Sequence, residues 1–325
     1  MDQLLPGDPL QSSRQSRVIA QALRLSLWPL LNRAPGPPGS LQAFRATVDA
    51  AARLLPVSPG VRIEPLADPR VETGEPPVAG EWVAPAGPVA EGAVLYLHGG
   101  GYVMCSPRTH RSITSRLAVE SGLPVLVPRY RLAPEHPFPA ALNDALAAYR
   151  WLLSRGVPAG RIIVAGDSAG GHLAASLTGE ICRIGLPAPA GVVLLSPWVD
   201  LECELSLGSD ARDAYISAHA AQRVARLVIG DADPRDPRLA LLHRAWTDMP
   251  PFLIQVGGNE VLRPEAERLA KALGDACELQ VWPGQMHVFQ ILDRLLPEAR
   301  TALREAARFI GSVLHPSAAG AADAA

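Results

Sequence analysis

The stretch Gly166-Asp167-Ser168-Ala169-Gly170-Gly171 constrains this chain more than any other. Before it runs Arg161-Ile162-Ile163-Val164-Ala165, a β-branched apolar run of the kind that forms a buried strand. After it runs His172-Leu173-Ala174-Ala175-Ser176-Leu177, which reads as the opening of a helix. A strand, a tight Gly-x-Ser-x-Gly turn and a helix make an elbow that holds its serine in a strained conformation, with small neighbours to avoid collision. The positive end of the helix favours negative charge developing beside that serine. Small-residue turns between strand and helix occur in any α/β protein. The remainder of the chain must therefore supply a base, an acid and an oxyanion-binding loop in a workable order.

The 325 residues suffice for one large α/β domain or two small ones. A net charge of −2 and 48% hydrophobic residues describe a soluble globular chain with no basic excess for nucleic acid. Cys105, Cys182, Cys203 and Cys277 stand apart, with no Cys-x-x-Cys spacing, so neither a zinc site nor a disulfide framework is expected. Reduced thiols and a cytoplasmic location follow as the expectation. Asp2 and Asp8 occupy the place of a basic signal-peptide region, and Arg17 and Arg24 interrupt the apolar stretch to Leu31, so no secretory signal is expected. No stretch is apolar enough for stable membrane insertion.

Arg17 to Leu31 carries apolar residues at helical spacing and reads as an amphipathic helix. Pro35-Gly36-Pro37-Pro38-Gly39 breaks it, and a second helix is expected from Leu41 to Leu55. Two readings compete for this pair, a lid over a site and a membrane-surface anchor. The mixed polar face favours the lid. Short strands at Val61–Glu64 and Glu81–Ala84 read as an antiparallel edge. Beyond them strand and helix alternate: strand Ala93–Leu97, helix Thr109–Ser121, strand Pro124–Val127, helix Ala140–Leu153 and the strand before the elbow. That rhythm implies a mostly parallel sheet covered on both faces.

The strand at Ala93–Leu97 ends in His98-Gly99-Gly100-Gly101-Tyr102. Three glycines let a backbone approach a ligand and turn its N–H groups outwards. With an elbow downstream, this loop is expected to bind an oxyanion through Gly99 and Gly100, together with Ala169 after the serine. His98 sits at the strand end, where its ring would hold the loop, with Gly101 as further loop support, rather than act as the base.

In this order, His98–Gly101, Tyr130–Pro139, Gly166–Gly171, Ser196-Pro197-Trp198-Val199-Asp200 and Trp282-Pro283-Gly284-Gln285-Met286-His287 resemble the hormone-sensitive-lipase family of α/β-hydrolases, the bacterial family IV carboxylesterases. The resemblance covers roughly residues 60–315. It implies an α/β-hydrolase sheet of about eight strands and a cap made from the N-terminal helices plus an insertion. The expected organisation is an N-terminal cap segment over 1–57, a catalytic domain over 58–315 with the insertion at about 203–248, and a disordered tail over 316–325. Asp231-Ala232-Asp233-Pro234-Arg235-Asp236-Pro237 within the insertion reads as a solvated proline turn rather than a metal site. The family usually carries glycine where Cys105 stands, and a buried structural thiol is expected there.

The acid and base come from two later strands. Pro251–Gly257 is a strand whose end runs into Gly258-Asn259-Glu260, and a carboxylate just past a parallel strand lies on the active edge. Glu260 is thus the expected acid, although the family usually has Asp there. Glu265 is the alternative, more at home in the helix start after Pro264. His287 follows the last strand, Leu279–Trp282, and a closing helix spans Leu295–Val313. The order Ser168, Glu260, His287 is the order α/β-hydrolases use. The resemblance implies a serine carboxylesterase for short-chain esters that needs no cofactor and no metal and acts on a small-molecule ester. An amidase or deacetylase on the same triad and a non-catalytic receptor on the same fold are the alternatives. All three triad residues are present, which weighs against the receptor. A homodimer is compatible with the resemblance, while no segment of the sequence demonstrates one.

Overall fold

A computed structural model describes residues 12–26, 28–32, 38–68, 76–209, 211 and 213–315. The expected disordered tail at 316–325 lies outside the described residues. One sheet of eight strands organises the chain, in the order β1-β2-β4-β3-β5-β6-β7-β8. These are β1 Val61–Asp68, β2 Val78–Pro85, β3 Ala93–Leu97, β4 Val125–Pro128, β5 Ile162–Asp167, β6 Gly191–Leu195, β7 Phe252–Gly257 and β8 Cys277–Trp282. β1 pairs with β2, and β2 with β4, antiparallel. Every other neighbouring pair is parallel.

The central strands bury both faces because their apolar residues are continuous. On β3, Leu95 and Leu97 face one core and Val94 and Tyr96 the other. Val164, Leu194 and Ile254 extend the first core, and Ile163, Val193 and Leu253 the second. Burying each such side chain contributes about 1.5–3 kcal/mol, so the register of these strands is firmly set. Helices cover both faces in the expected alternation. They are α1 Arg14–Ser26, α2 Trp28–Asn32, α3 Pro38–Ala51, α4 Arg111–Ser121, α5 Ala140–Ser154, α6 Ala169–Arg183, α7 Glu204–Leu207, α8 Ala218–Ile229, α9 Arg263–Leu273 and α10 Pro297–Leu314.

One expectation on the N-terminal helices changes. The helix foreseen from Arg17 to Leu31 is described as α1 and α2, on either side of residue 27, which lies outside the described residues, and Asn32 in α2 bonds Tyr215 and Ser217. The next helix begins at Pro38, inside the stretch read as a breaker. Proline fits the first helical turn, where its missing N–H would have no partner anyway. The segment 203–248 contains helices and turns and, among the described residues, no strand. Within it Asp236 pairs with Arg238 at 2.7 Å, and Asp233 Oδ1 accepts from the Arg235 N–H, as a turn stretch should. No helix among the described residues is long and apolar enough to cross a membrane.

Candidate active site

β5 delivers Ser168 one residue past its end, and α6 begins at the next residue. Ser168 takes φ 52° and ψ −121°, the strained elbow that the motif predicts. The end of the parallel neighbour β3 lies close against the elbow and explains the small residue at Gly170. A Cβ there would lie 2.0 Å from the Leu97 carbonyl oxygen.

β7 and β8 bring the other two residues to the same edge of the sheet. Glu260 and His287 are both buried. His287 Nδ1 lies 2.9 Å from Glu260 Oε2, and His287 Nε2 lies 2.9 Å from Ser168 Oγ. A carboxylate only accepts, so the ring proton sits on Nδ1 and the Nε2 lone pair faces the serine hydroxyl. Burial alone would lower the His287 pKa. The Glu260 hydrogen bond and charge, with smaller help from Asp213 and Asp167, outweigh it and raise the pKa above 6.5. Glu260 Oε1 accepts from the Gly257 N–H at 2.5 Å and from the Ser196 hydroxyl at 2.6 Å.

Glu265 does not reach the histidine. It lies in the first turn of α9 and accepts from the N–H groups of Val199 and Asp200 and from the Ser206 hydroxyl. Burial pushes its carboxyl up to about 8.

The glycine loop needs one correction. The Gly99 N–H, expected to face a substrate oxygen, donates to Asp167 Oδ1 at 3.1 Å. It is therefore committed to the protein interior. The physical cause is Asp167 itself, wedged so closely that a Cβ on Gly99 would lie 2.2 Å from its Oδ2. Among the described residues the N–H groups of Gly100, Gly101 and Ala169 have no protein acceptor. Gly100 takes φ 109°, a conformation closed to ordinary side chains.

His98 packs against the loop. Its ring stacks on Tyr130 at 4.3 Å between centroids, and its Nδ1–H donates to the Gly99 carbonyl at 2.8 Å. Burial, reinforced by the neighbouring His110, holds its pKa down at about 3, which removes it as a base at neutral pH. Two residues of this cluster have no role in the sequence reading. Asp167 accepts from the Tyr96 hydroxyl at 2.7 Å and contacts His110 Nε2 at 3.1 Å. The His110 and Tyr96 donors keep its pKa below the ordinary value despite burial, which acts the other way. Asp167 was visible within the elbow motif, whereas nothing in the sequence around His110 marks it. Cys105 takes φ 72°, which explains the glycine usual there, and burial pushes its thiol up to about 12. It lines a groove of about 470 Å³ with Arg45, Asp49, His98 and Tyr130.

Comparison with known proteins agrees with this fold. A family model described as the alpha/beta hydrolase fold matches residues 94–291. A solved structure of an esterase from the bacterial hormone-sensitive lipase family is 33% identical, covers 94% of this chain and 100% of its own, and superposes with a TM-score of 0.83. This chain belongs to the hormone-sensitive lipase family of α/β-hydrolases. Among curated relatives, an acetyl-hydrolase of Streptomyces hygroscopicus is 41% identical over 71% of this chain and 78% of its own length. An ethyl acetate hydrolase of Pseudomonas putida is 34% identical over 66% and 71% respectively.

The parts of this family member that surround the site are tied to it by polar side chains. His172 Nε2 lies 3.0 Å from the Leu239 carbonyl, to which it must donate. Its Nδ1 therefore accepts from the Tyr102 hydroxyl at 2.7 Å, which links α6, the glycine loop and the 203–248 segment. Asp213 is buried near Glu260, accepting from the N–H groups of Val261, Tyr215 and Ile216. From the N-terminal segment, Ser16 donates to Gln285 on the histidine loop at 3.0 Å. Arg45 donates to the carbonyls of Val103 and Ala133 at 2.7 Å each. Among the described residues no three His, Cys, Asp or Glu side chains gather as a metal site.

Proposed function

We propose that this protein is a serine carboxylesterase that hydrolyses short-chain acyl esters through an acyl-enzyme. The observation that carries the reading is the unbroken hydrogen-bond chain from Ser168 Oγ through His287 to Glu260. His287 Nε2 takes the serine proton as Oγ attacks the ester carbonyl. The carbonyl oxygen becomes an oxyanion held by the free N–H groups of Gly100, Gly101 and Ala169, at the N-terminus of α6. Glu260 fixes the imidazole tautomer and stabilises the imidazolium. The imidazolium then returns its proton to the leaving alcohol. Water attacks the acyl-enzyme with His287 again as base, giving the acid and free Ser168. Relatives named as an acetyl-hydrolase and an ethyl acetate hydrolase support small acyl groups. We assign the N-terminal helices and the 203–248 segment to a cap that limits acyl length, on the strength of their polar ties to the glycine and histidine loops.

The test is hydrolysis of p-nitrophenyl esters of increasing acyl length, with Ser168→Ala alongside. The expected result is fastest turnover of the acetyl and butyryl esters, lowered about 10⁶-fold in the variant. Rapid cleavage of the matching anilides with no ester turnover would replace the esterase by an amidase.

A further inference from the structure

The turn at the end of β6, Leu195 to Trp198, touches Ser168, Glu260 and the residue that follows His287. The Leu195 carbonyl accepts from the Ser168 N–H at 2.9 Å, and the Trp198 N–H donates to the Ser168 carbonyl at 3.0 Å. The Ser196 hydroxyl donates to Glu260 Oε1 at 2.6 Å. The same hydroxyl accepts from the N–H of Val288, the residue after His287, at 3.0 Å. We propose that Ser196 is a positioning residue whose hydroxyl sets the rotation of the Glu260 carboxylate and joins the acid to the histidine loop. The proposal rests on the reading of Ser168, His287 and Glu260 as a working triad.

The backbone is the first argument. Ser196 is fully buried at φ 47°, a conformation that glycine adopts more readily than any residue with a Cβ. A serine at a glycine-favouring position needs a reason in its side chain. The hydroxyl supplies one, because its single proton and one lone pair are both used.

The second argument is the acid. Glutamate has one more rotatable bond than aspartate, and its terminal torsion is broad and nearly two-fold. Either carboxylate oxygen is therefore free to drift toward the imidazole unless one is held. Here Oε1 is held by two donors, the Gly257 N–H and the Ser196 O–H, and only Oε2 remains for His287. The turn is itself a rigid support. Its Ser196 N–H donates to the Gln255 carbonyl at 2.6 Å, and beyond Trp198 Glu265 holds the N–H groups of Val199 and Asp200.

The test compares Ser196→Gly and Ser196→Ala with the unaltered protein. Three quantities are read: the rate of Ser168 labelling by a fluorophosphonate probe, p-nitrophenyl butyrate kinetics, and Tm. Both variants lose the hydroxyl, but glycine also relieves the backbone. The expected result for Ser196→Gly is a Tm above that of Ser196→Ala. Its labelling rate and kcat are expected to fall about 10–100-fold, with KM within about twofold. A purely structural serine predicts the opposite for glycine, a stable protein of unaltered rate, and that result would overturn the proposal. The probe does not depend on ester preference. Labelling without ester turnover would remove the esterase reading and still test Ser196 through the ratio of labelling rates. Absence of labelling in the unaltered protein would remove the triad reading and this proposal with it.

Discussion

The active edge of the sheet and the N-terminal helical segment are held by different means. Ser168, Glu260 and His287 lie one, three and five residues beyond the ends of β5, β7 and β8, so the sheet backbone itself carries them. The N-terminal segment is instead laid on from outside, by apolar packing of Ile19, Leu23 and Leu41 and by separate polar hooks. Ser13 bonds Glu298 on α10, Ser16 bonds Gln285, Asn32 bonds Tyr215 and Ser217, and Arg45 bonds Val103, Ala133 and Glu135. A backbone-carried site holds reacting atoms to fractions of an ångström. Side-chain hooks hold a covering that can differ without moving the chemistry. Substitutions on the edge should therefore act on kcat, and those on the hooks on stability and substrate range.

The largest expected effect after loss of the nucleophile belongs to Glu260→Gln. The amide cannot hold the imidazole in its working tautomer, and kcat should fall about 10³–10⁴-fold. The pH profile makes the result specific. His287 must be neutral to act as base, so activity falls as the pH drops through its folded pKa. That pKa lies above 6.5 because Glu260, aided by Asp213 and Asp167, outweighs burial. In the variant the burial remains and the main opposing cause is gone. The acid limb of kcat/KM should therefore move to lower pH. An unmoved limb would mean that another carboxylate governs His287.

Asp167→Asn comes next, because it disturbs the glycine loop from within the same edge. Asp167 receives Tyr96, Gly99 and contacts His110, all buried. The amide turns an NH₂ group towards one of these donors. Leaving one buried donor without its acceptor costs about 1–3 kcal/mol, visible in urea denaturation. Displacement of Gly100 and Gly101 should lower kcat about 10–100-fold. Loss of stability with unaltered kcat would show that the loop keeps its shape without Asp167.

The same contrast explains what the sequence made legible. The strands announce themselves because β5 and β6 open as apolar runs and β7 is broken only by Gln255, and the order of Ser168, Glu260 and His287 follows from where β5, β7 and β8 end. Glycine patterns pointed to both the elbow and the loop proposed to hold the oxyanion. Which glycine N–H remains free was not legible, because it depends on Asp167 folding under Gly99 across 68 residues of sequence. The roles of Ser196, His110 and Asp213 share this cause, since each is a single polar residue whose partner is distant in the chain.

The smallest effect is expected at Arg45→Ala, and it probes the hooks most directly. Arg45 reaches Glu135 with two bonds, but the pair is part-exposed, at 21% and 35% of the side chains, so the ion pair itself contributes under about 1 kcal/mol. The bonds to the carbonyls of Val103 and Ala133 are better sheltered and tie α3 to the glycine loop, since the Val103 N–H returns to the Gly100 carbonyl. The total loss should be about 1–2 kcal/mol in thermal or urea unfolding. On p-nitrophenyl acetate, kcat should stay within about threefold of the unaltered protein, because the triad contacts nothing that Arg45 holds. If the segment is a cap, longer acyl esters should gain relative to acetate as α3 loosens. An equal loss on every chain length would instead mean that Arg45 acts through the glycine loop. The hooks would then belong to the catalytic edge, and the division between the two regions would fail at this point.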